Sequence, residues 1–524
     1  MPVSVAEARP TVDHLEVRRG EYHDSVTLML AARAVAAVPG VAHVLVAMGT
    51  DLNLALLADL GHPRPDAGPT DLLIAFTCPD PATETTALST LTGALTPTPS
   101  PGGPITAPGP TTPAPTPHPR TTAGALGRTG ALLTLISTPG LASVPEAMEA
   151  LQYGASVVIF SDNIPTTHEI RLKDEACRRG LLVMGPDCGT VILHGIGLGF
   201  ANTTRPGPIS LVAASGTGAQ QLISLLDAAQ TGIRHCIGVG GRDLSEAVAG
   251  RSTHAALDAL AADEETTLIV VVSKPPHPTV AAAIRTHAAH LAKPVLLAFI
   301  GPDHPTLTTT AERILATLDH HPPPTWPHWP PTTTSHVTTE PGPARSHTIR
   351  SHTVRGHIIR GLFSGGTLCA EAEAVMTRAG AASPTTPADT AEPLTAVAHT
   401  AVPHTTAHLT DFGADAYTRG RPHPMIDNTL RLRAVAEAVA DPRVGVLLLD
   451  VVLGRGAHPD PAAELVPAVA AACEKGVQVV VSMCGTSGDP QGLDRQARAF
   501  ADAGAWVYLS NAEAAMAAAR LAVH

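Results

Sequence analysis

The feature that most restricts the fold is a regular alternation of short apolar segments with segments of helical periodicity. It runs through residues 122–320 and again through residues 355–524. Apolar runs such as SVVIF and TLIVVVS lack the polar alternation of a half-exposed strand, and helical segments separate them. This pattern is typical of parallel sheets that helices cover on both faces. We therefore predict doubly wound α/β domains, whose ligands bind at the carboxyl ends of the strands.

Proline marks the places where this alternation stops. Many of the 49 prolines lie in two tracts, TPTPSPGGPITAPGPTTPAPTPHP and PPPTWPHWPP. Such tracts lack N–H donors and have little apolar surface to bury, which predicts linkers over residues 93–121 and 321–354. Trp326 and Trp329 in the second tract form either a docking patch or part of a linker that lies against a domain face. We favour the second interpretation.

The proline tracts leave blocks that we interpret as three domains in 524 residues. The apolar runs at 131–183 look like half of a domain. We therefore expect residues 12–90 to complete one split Rossmann sheet, which gives a first domain over 12–205. Residues 206–320 and 355–524 each carry enough strands and helices for a flavodoxin-like domain of their own.

Composition excludes several functional classes. The formal net charge of −12 argues against nucleic acid as the main partner. We find neither an apolar run long enough to span a membrane nor a secretory signal at the N-terminus. The seven cysteines are an odd number without a C-x-x-C pair, which argues against a disulfide framework and a structural zinc site. We expect a cytoplasmic protein with reduced thiols and no bound metal.

A glycine-rich turn occurs at matching points of the last two domains. Each copy follows an apolar strand and precedes an amphipathic helix, as in PISLVAASGTGAQQLISLL and GHIIRGLFSGGTLCAEAEAVM. Glycine lets a ligand approach the backbone, and the N–H groups at a helix N-terminus favour an anion. A tight turn without a ligand is the alternative, but the repetition favours anion binding. The predicted phosphate-binding or anion-binding residues are Ser215, Gly216, Thr217, Gly218, Ser364, Gly365, Gly366 and Thr367.

Other polar loops also follow the predicted strands and provide candidates for the same site. Arginine holds phosphate or carboxylate groups bidentately, so Arg242 and Arg421 are candidates for an anion clamp. The side chains that we expect to orient a substrate amide are Asp243, Asp450 and His458, and with Arg242 they are the predicted catalytic residues. For each of these residues a structural turn or an ion pair is the alternative. Cys188 is either a nucleophile or a small buried residue, and we favour the second because no base lies nearby in sequence.

Long segments of the chain resemble the FdrA family, in the family's order and over nearly everything outside the proline tracts. Asn202, within one of the matching segments, joins Cys188, Lys274, Arg421 and His423 of the polar loops as substrate-binding candidates. The matching segments are RRGEYHDSVTLM (18–29), FSDNIPTTHEIRLKDEACRRGLLVMGPDCGT (160–190), LGFAN (198–202), ASGTGAQQ (214–221), IGVGGRDLSE (237–246), IVVVSKPP (269–276), GLFSGGTLCAEA (361–372), GRPHPMIDNTLR (420–431), LLLDVVLGRGAHPDPA (447–462) and MCGTSGDPQGL (483–493).

The FdrA family is similar to the NDP-forming acyl-CoA synthetases, which include succinyl-CoA synthetase. This likeness implies a CoA-binding-like Rossmann domain followed by two flavodoxin-like ligase domains, whose helix N-termini face a phosphorylated histidine. The G-H-A-G-A stretch of that histidine is absent, although His304 lies in the corresponding region, and no segment remains for an ATP-grasp domain. The glycine-rich CoA loop that follows the first strand of these synthetases also has no counterpart in residues 12–60, so CoA is a doubtful ligand.

The resemblance implies carbamoyl transfer between an amide such as oxamate and phosphate, with carbamoyl phosphate as a ligand. Such a reaction needs an oxyanion cradle and correct orientation rather than a nucleotide. The alternatives are an acyl-CoA synthetase and a non-catalytic subunit of a multi-protein complex. We expect a homo-oligomer or a complex with separately encoded subunits, with no membrane partner.

Overall fold

The computed structural model describes residues 12–23, 25–95, 119–323, 325–332, 356–380, 406–418 and 421–523. Most of the two predicted linkers lies outside these residues. The chain divides into two compact units, residues 1–124 and 125–524, which are described separately. In the described part, no helix has the length and apolar character needed to cross a membrane.

The first unit contains a three-stranded antiparallel sheet in the order β1-β3-β2. β3 is its central strand, and both neighbouring strands run antiparallel to it. Leu72 to Phe76 in β3 are completely buried. The elements are β1 (Val12–Arg18), α1 (Ser25–Ala36), β2 (Ala42–Met48), α2 (Asp51–Asp59), β3 (Leu72–Cys78) and α3 (Pro81–Leu95).

The prediction that residues 12–90 complete one Rossmann sheet over 12–205 is therefore wrong. These residues form a separate antiparallel sheet with its own core, in which Leu28, Leu91 and Ile74 are buried. The apolar run LLIAF in β3 looked like a strand of a parallel sheet because all its side chains are buried. A central antiparallel strand beneath packed helices gives the same pattern, so burial alone did not reveal the strand direction.

The second unit begins with a small parallel sheet in the order β4-β5-β6. Its helices bury Leu151, Leu172 and Ala176 against the strands. The elements are β4 (Leu133–Ile136), a short 3-10 helix (Gly140–Ala142), α5 (Ser143–Tyr153), β5 (Ser156–Ile159), α6 (Thr166–Arg179) and β6 (Val183–Met184), and α4 (Thr122–Thr129) spans the division between the units.

The next sheet has a parallel core in the order β10-β9-β11-β12, which is the flavodoxin-like order 2-1-3-4. The hairpin formed by β7 and β8 extends this sheet on the β10 edge, antiparallel to β10. Residues 190–199 therefore belong to this sheet rather than to the preceding one. The elements are β7 (Thr190–Leu193), β8 (Ile196–Gly199), β9 (Ile209–Ala213), α7 (Gly216–Ala228), β10 (Ile233–Gly238), α8 (Arg251–Ala262), β11 (Leu268–Ser273), α9 (Pro278–Ala289), β12 (Val295–Phe299) and α10 (Leu307–Thr317).

The last sheet has the parallel order β15-β14-β16-β17-β18, which is the flavodoxin-like order 2-1-3-4-5. Its central strand β16 is buried along its whole length. The elements are β13 (His328–Trp329), β14 (Ile358–Phe363), α11 (Gly366–Arg378), β15 (Thr406–Asp411), α12 (Asp415–Thr418), α13 (Thr429–Ala440), β16 (Val444–Val452), α14 (Pro461–Glu474), β17 (Gln478–Cys484), α15 (Leu493–Asp502), β18 (Trp506–Tyr508) and α16 (Asn511–Val523). The chain is thus a mixed α/β protein with parallel sheets, as predicted.

The described part of the second proline tract packs onto this last sheet. β13 pairs antiparallel with β18, and the Trp326 side chain is 4% exposed. The indole N–H of Trp329 donates to the Asp494 carboxylate at 2.8 Å. These contacts agree with the favoured interpretation, in which the tract lies against a domain.

Candidate functional site

The two glycine turns lie against each other. Each follows the first parallel strand of its sheet, so α7 and α11 begin at the carboxyl ends of β9 and β14, where ligands bind in such folds. The Ser215 and Thr367 hydroxyls are hydrogen-bonded at 2.5 Å. A Cβ atom placed on Gly365 would lie 2.8 Å from Cγ2 of Thr217, so glycine is needed for this close approach. The structure thus places the predicted anion-binding turns at one location.

Both helices present free backbone donors at this location. The Ser215 hydroxyl accepts from the Gly218 N–H at 3.1 Å, and the first intrahelical bond of α7 runs from Ala219 to Ser215. The corresponding first bond of α11 runs from Cys369 to Gly365. The N–H groups of Gly216 and Thr217 in α7, and those of Gly366 to Leu368 in α11, therefore have no intrahelical acceptor. They lie at the positive ends of two helix dipoles, which favours an anion.

Asp450 anchors the turn before α11 from inside. Its fully buried carboxylate accepts from the Ser364 N–H at 2.7 Å, the Ser364 hydroxyl at 2.9 Å and the Gly365 N–H at 2.8 Å. Arg431 is buried behind it, with Nη2 3.3 Å from the carboxylate. Burial lowers the pKa of the Arg431 guanidinium, and the Asp450 charge opposes this effect. The Asp450 carboxylate is therefore fully engaged by the protein, which departs from the predicted contact with a substrate amide.

Lys274 and Asp411 flank the first turn of α11. A Cβ atom placed on Gly366 would lie 2.8 Å from Lys274 Nζ and within contact of Asp411 Oδ2. Lys274 is exposed, whereas Asp411 is partly buried at the end of β15. Burial raises the pKa of the Asp411 carboxyl group, and the Lys274 charge partly offsets the rise. The site therefore combines an exposed cation with a carboxylate that holds a proton more readily than usual.

His423 provides a neutral imidazole on the same side. Burial lowers its pKa to about 4. Nδ1 accepts a hydrogen bond from the Met425 N–H at 3.2 Å, so the proton of the neutral ring lies on Nε2. A Cβ atom placed on Gly413 would lie 3.1 Å from His423 Nε2 and would also contact the Ser364 carbonyl oxygen. The ring of Phe200 lies against the imidazole at 5.6 Å between centroids. His423 is therefore oriented as a hydrogen-bond donor.

Arg242 and Asp243 belong to a different cluster, around the buried Lys173. Lys173 Nζ donates to Asp243 at 2.7 Å and to Glu169 at 2.8 Å. The buried Asp243 carboxylate also accepts from the N–H groups at the start of α8, at 3.1 Å from Ser252 and 2.9 Å from Thr253. Arg242 Nη2 lies 3.0 Å from Glu169. These contacts join α6 to the loop before α8, so the predicted catalytic pair serves here as a structural ion-pair cluster.

The other candidates lie in distinct surroundings. Cys188 is buried and donates to the Gly238 carbonyl at 3.3 Å, and burial raises the pKa of its thiol to about 12, in agreement with the favoured interpretation. The Asn202 amide donates to the Leu453 carbonyl at 3.1 Å and to Asp489 at 2.8 Å. His458 Nε2 lies 2.9 Å from Glu464. Arg421 is exposed.

Sequence reasoning placed Asp411 and Thr190 in the polar loops that follow the predicted strands but gave neither residue a role, and it missed Arg431 and Lys173. Thr190 Oγ1 lies 3.1 Å from the position of a Cβ atom on Gly216, which places it beside the start of α7. Asp411 could have been given a role from its position, because it ends the strand next to the first parallel strand of its sheet. Lys173 and Arg431 lie within helices, and no local pattern marks them.

Comparison with known proteins gives both whole-chain and partial matches. The uncharacterized protein YahF of Escherichia coli K12 is 32% identical over 517 residues, which cover 93% of this chain and 94% of YahF. The alpha subunit of the ADP-forming succinate–CoA ligase of Methanothermobacter thermautotrophicus is 32% identical over 111 residues, 21% of this chain and 38% of that subunit. A CoA-ligase family model matches residues 362–521, and a model described as the heavy metal-associated domain of AllF matches residues 11–106.

Solved structures give more distant matches. One match is an ATP citrate lyase from Methanothrix soehngenii in complex with citrate and coenzyme A, which is 16% identical in sequence. The alignment covers 34% of this chain and 30% of the lyase chain, at a TM-score of 0.29. PH0766 from Pyrococcus horikoshii is 14% identical in sequence. The alignment covers 75% of this chain and 83% of the PH0766 chain, at a TM-score of 0.26.

The described residues of the first unit do not provide ligands that fit a heavy metal ion. Soft metal ions prefer thiolates, and Cys78 is buried with its thiol donating to the Asp80 carbonyl at 3.6 Å. Burial raises the pKa of this thiol, which disfavours the thiolate. In the loop after β1, Glu21 pairs with Arg18 and His23 instead. In the described part of the chain, no group of three or more acidic, histidine or cysteine side chains is arranged for a metal ion.

At the first turn of the small parallel sheet, the nearby hydroxyl groups are engaged within the protein rather than directed at a site for the pyrophosphate of CoA. Such a group would bind at a helix N-terminus after a strand. Between β4 and α5 a 3-10 helix intervenes, and the hydroxyls of Ser143 and Ser161 both donate to the Thr138 carbonyl at 2.5 Å. This turn therefore satisfies its own hydroxyl groups.

Proposed function

This chain belongs to the family of YahF, and we propose that it is a group-transfer enzyme that binds carbamoyl phosphate between the N-termini of α7 and α11. The CoA-ligase domain over residues 362–521 relates it to succinyl-CoA synthetase-like proteins. The resemblance to the FdrA family supplies the reaction, carbamoyl transfer between an amide such as oxamate and phosphate.

One observation carries the proposal: two helix N-termini from different sheets face each other across the Ser215–Thr367 hydrogen bond. A phosphoryl group beside this contact would meet backbone donors of both helices, together with the Lys274 ammonium. Charge-assisted hydrogen bonds of this kind are stronger than neutral ones, and fixed donors cost no reorganisation during the reaction. The Asp450 charge is held by Arg431 and by the turn amides, so it does not occupy the outward-facing donors.

The geometry suits a simple displacement at the carbamoyl carbon. The substrate amide nitrogen forms a bond to that carbon, the bond from carbon to the phosphate oxygen breaks, and inorganic phosphate leaves. The helix N-termini and Lys274 stabilise the charge that develops on the departing phosphate. The Nε2 proton of His423 donates to an oxygen of the substrate and orients it. Holding both reactants in this geometry supplies much of the rate acceleration.

Binding of carbamoyl phosphate and of inorganic phosphate, followed by ³¹P NMR, tests the proposal on the full chain. Gly366→Ala places a methyl group against Lys274 Nζ and Asp411 Oδ2, so we expect at least about tenfold weaker binding. Gly93→Ala is the matched control, because nothing lies within 4 Å of its added Cβ atom. Wild-type protein that binds neither ligand, or a Gly366→Ala variant that binds like the control, would refute the proposal.

An acyl-CoA ligase is the second candidate, and the CoA-ligase match over residues 362–521 supports it. The two candidates differ in the ligand they require. Under carbamoyl transfer, carbamoyl phosphate raises the thermal unfolding temperature of the full chain and CoA does not. Stabilisation by CoA alone would instead favour the ligase.

A separately encoded partner is part of the proposal, since the resemblance allows a complex with other subunits. Turnover of carbamoyl phosphate and oxamate by the isolated chain would show that the chain is sufficient. If activity required co-expression with the products of neighbouring genes, the helix N-termini would be one component of a shared active site.

A further inference from the structure

Asp411 has one carboxylate oxygen engaged and one directed at the start of α11. Oδ1 accepts from the Gly413 N–H at 2.9 Å, which fixes the carboxylate plane. Oδ2 lies against the α-carbon of Gly366, where a Cβ atom would also meet Lys274 Nζ. The carboxylate is therefore held at the helix N-terminus, beside the position proposed for the phosphoryl group.

The charged and titratable neighbours of Asp411 come from several elements. Lys274 follows β11, Asp450 lies in β16, and the Cys369 thiol lies in the first turn of α11. His423 Nε2 lies beside the position of a Gly413 Cβ atom, as Asp411 Oδ1 does. Burial and the Asp450 charge favour the protonated carboxyl group, whereas Lys274 favours the carboxylate. Asp411 is thus placed to exchange a proton without losing its position.

We propose that Asp411 is the proton-transfer residue of the helix N-terminal site. This inference rests on the proposed function. When the amide nitrogen attacks the carbamoyl carbon, Asp411 Oδ2 takes the proton that the nitrogen loses as the new N–C bond forms. It then gives that proton to the oxygen of the departing phosphate, so no other acid, base or oxidant is needed. Lys274 stabilises the carboxylate before the proton arrives and the phosphate afterwards.

A first test measures proton uptake when the full chain binds inorganic phosphate, by calorimetry in two buffers of different ionisation enthalpy. The experiment is done at a pH at which inorganic phosphate is already a dianion in solution, so that phosphate itself releases no protons on binding. A phosphate dianion next to Asp411 favours protonation of this carboxylate, so the wild-type chain takes up protons on binding. Asp411→Asn keeps the acceptor for the Gly413 N–H but cannot take up a proton. We expect its proton uptake to fall at least about twofold with phosphate affinity retained. Asp66→Asn is the control, because Asp66 is fully exposed.

Asp411→Glu separates a chemical role from a structural one, because it keeps a carboxylate near the same position. Under the proposal, Asp411→Glu retains the proton uptake that Asp411→Asn loses. Wild-type uptake in Asp411→Asn would overturn the inference, and so would equal loss of phosphate binding in both variants. Wild-type protein that binds no phosphate would refute the proposed function itself, which makes the two failures distinguishable.

Turnover provides a second readout. General acid–base catalysis contributes about 10²- to 10⁴-fold, so kcat of Asp411→Asn should fall by about that factor with KM little changed. The limb of the wild-type pH–rate profile at lower pH should disappear in the variant. A small carboxylic acid such as formate should restore part of the rate to Asp411→Gly. A fall in kcat/KM that arises from KM alone would overturn the inference.

Discussion

Replacing Asp450 by asparagine tests how the turn before α11 is held. The change keeps the shape of the side chain and removes its charge. One oxygen still accepts from Ser364, but the new amide group faces the Gly365 N–H, which donated to the carboxylate at 2.8 Å. Arg431, 2% exposed, loses the carboxylate that lay 3.3 Å away. The variant therefore contains an unpaired buried cation and two opposed donors.

The magnitude follows from these two losses. Breaking a buried ion pair costs about 3–5 kcal/mol, and a buried donor without an acceptor costs about 1–3 kcal/mol. Because the two effects share one site, they do not add fully, and we expect a total of about 3–5 kcal/mol. Asp450→Asn with Arg431→Met removes the unpaired charge and should recover part of this loss.

Urea unfolding followed by tryptophan fluorescence measures the effect. The three tryptophans of the chain are Trp326, Trp329 and Trp506, and the last two lie in the paired strands β13 and β18, so the signal reports on the last sheet. With a slope of about 3 kcal/mol/M, the unfolding midpoint should fall by about 1 M or more. Glu474→Gln, at an exposed carboxylate of the same domain away from the tryptophans, is the control. A loss below about 1 kcal/mol in Asp450→Asn would refute the internal-anchor role.

Three further predictions concern other buried groups. Lys173→Met removes the cation that pairs with the buried Glu169 and Asp243 carboxylates, so the free energy of unfolding, measured by calorimetry, should fall by about 3–5 kcal/mol. Lys475→Met changes an exposed position and should lower it little. Equal effects of the two variants would contradict the ion-pair assignment. Between about pH 6.5 and 4 the unfolded chain protonates His423 and the folded chain does not, so stability should fall by about 3 kcal/mol as the pH decreases through this range. His423→Gln should remove that slope in urea unfolding, and an unchanged slope would assign it to another group. Iodoacetamide at pH 8 should label the exposed Cys177 first and leave Cys188 unlabelled, and mass spectrometry of the digested protein checks the order.

The alternation of apolar and helical segments was enough to predict the two flavodoxin-like sheets. Runs such as VGVLLLDVV and LIVVVS are buried along their whole length because they are central parallel strands, so pattern and position agree. The strands of residues 12–78 show where this reasoning fails. β3 has the same apolar run but pairs antiparallel on both edges, and strand direction depends on contacts far along the chain that a local pattern does not contain.

The glycine turns could be predicted as a pair because the same local requirement, close backbone approach at a helix start, occurs twice in the sequence. The roles of single charged residues could not. Asp243 and Asp450 both follow or end apolar strands, and both meet buried cations, Lys173 and Arg431, that lie in helices. Whether a carboxylate faces a ligand or a buried cation is decided by packing between elements, which sequence spacing does not show.

The last two sheets share a strand order, but the charges that they place at the candidate site differ. Two domains with the same order meet through equivalent helices, much as the subunits of a two-fold symmetric dimer do, although one chain supplies both halves. The third strands do not carry equivalent charges: Lys274 directly follows β11, whereas Asp450 lies near the end of β16. Under the proposed function, a ligand between the helices would meet the Lys274 cation from one half and the neutralised Asp450 carboxylate from the other. The pseudosymmetry would then provide two similar anion sites, and the difference in charge would determine the orientation of an asymmetric substrate.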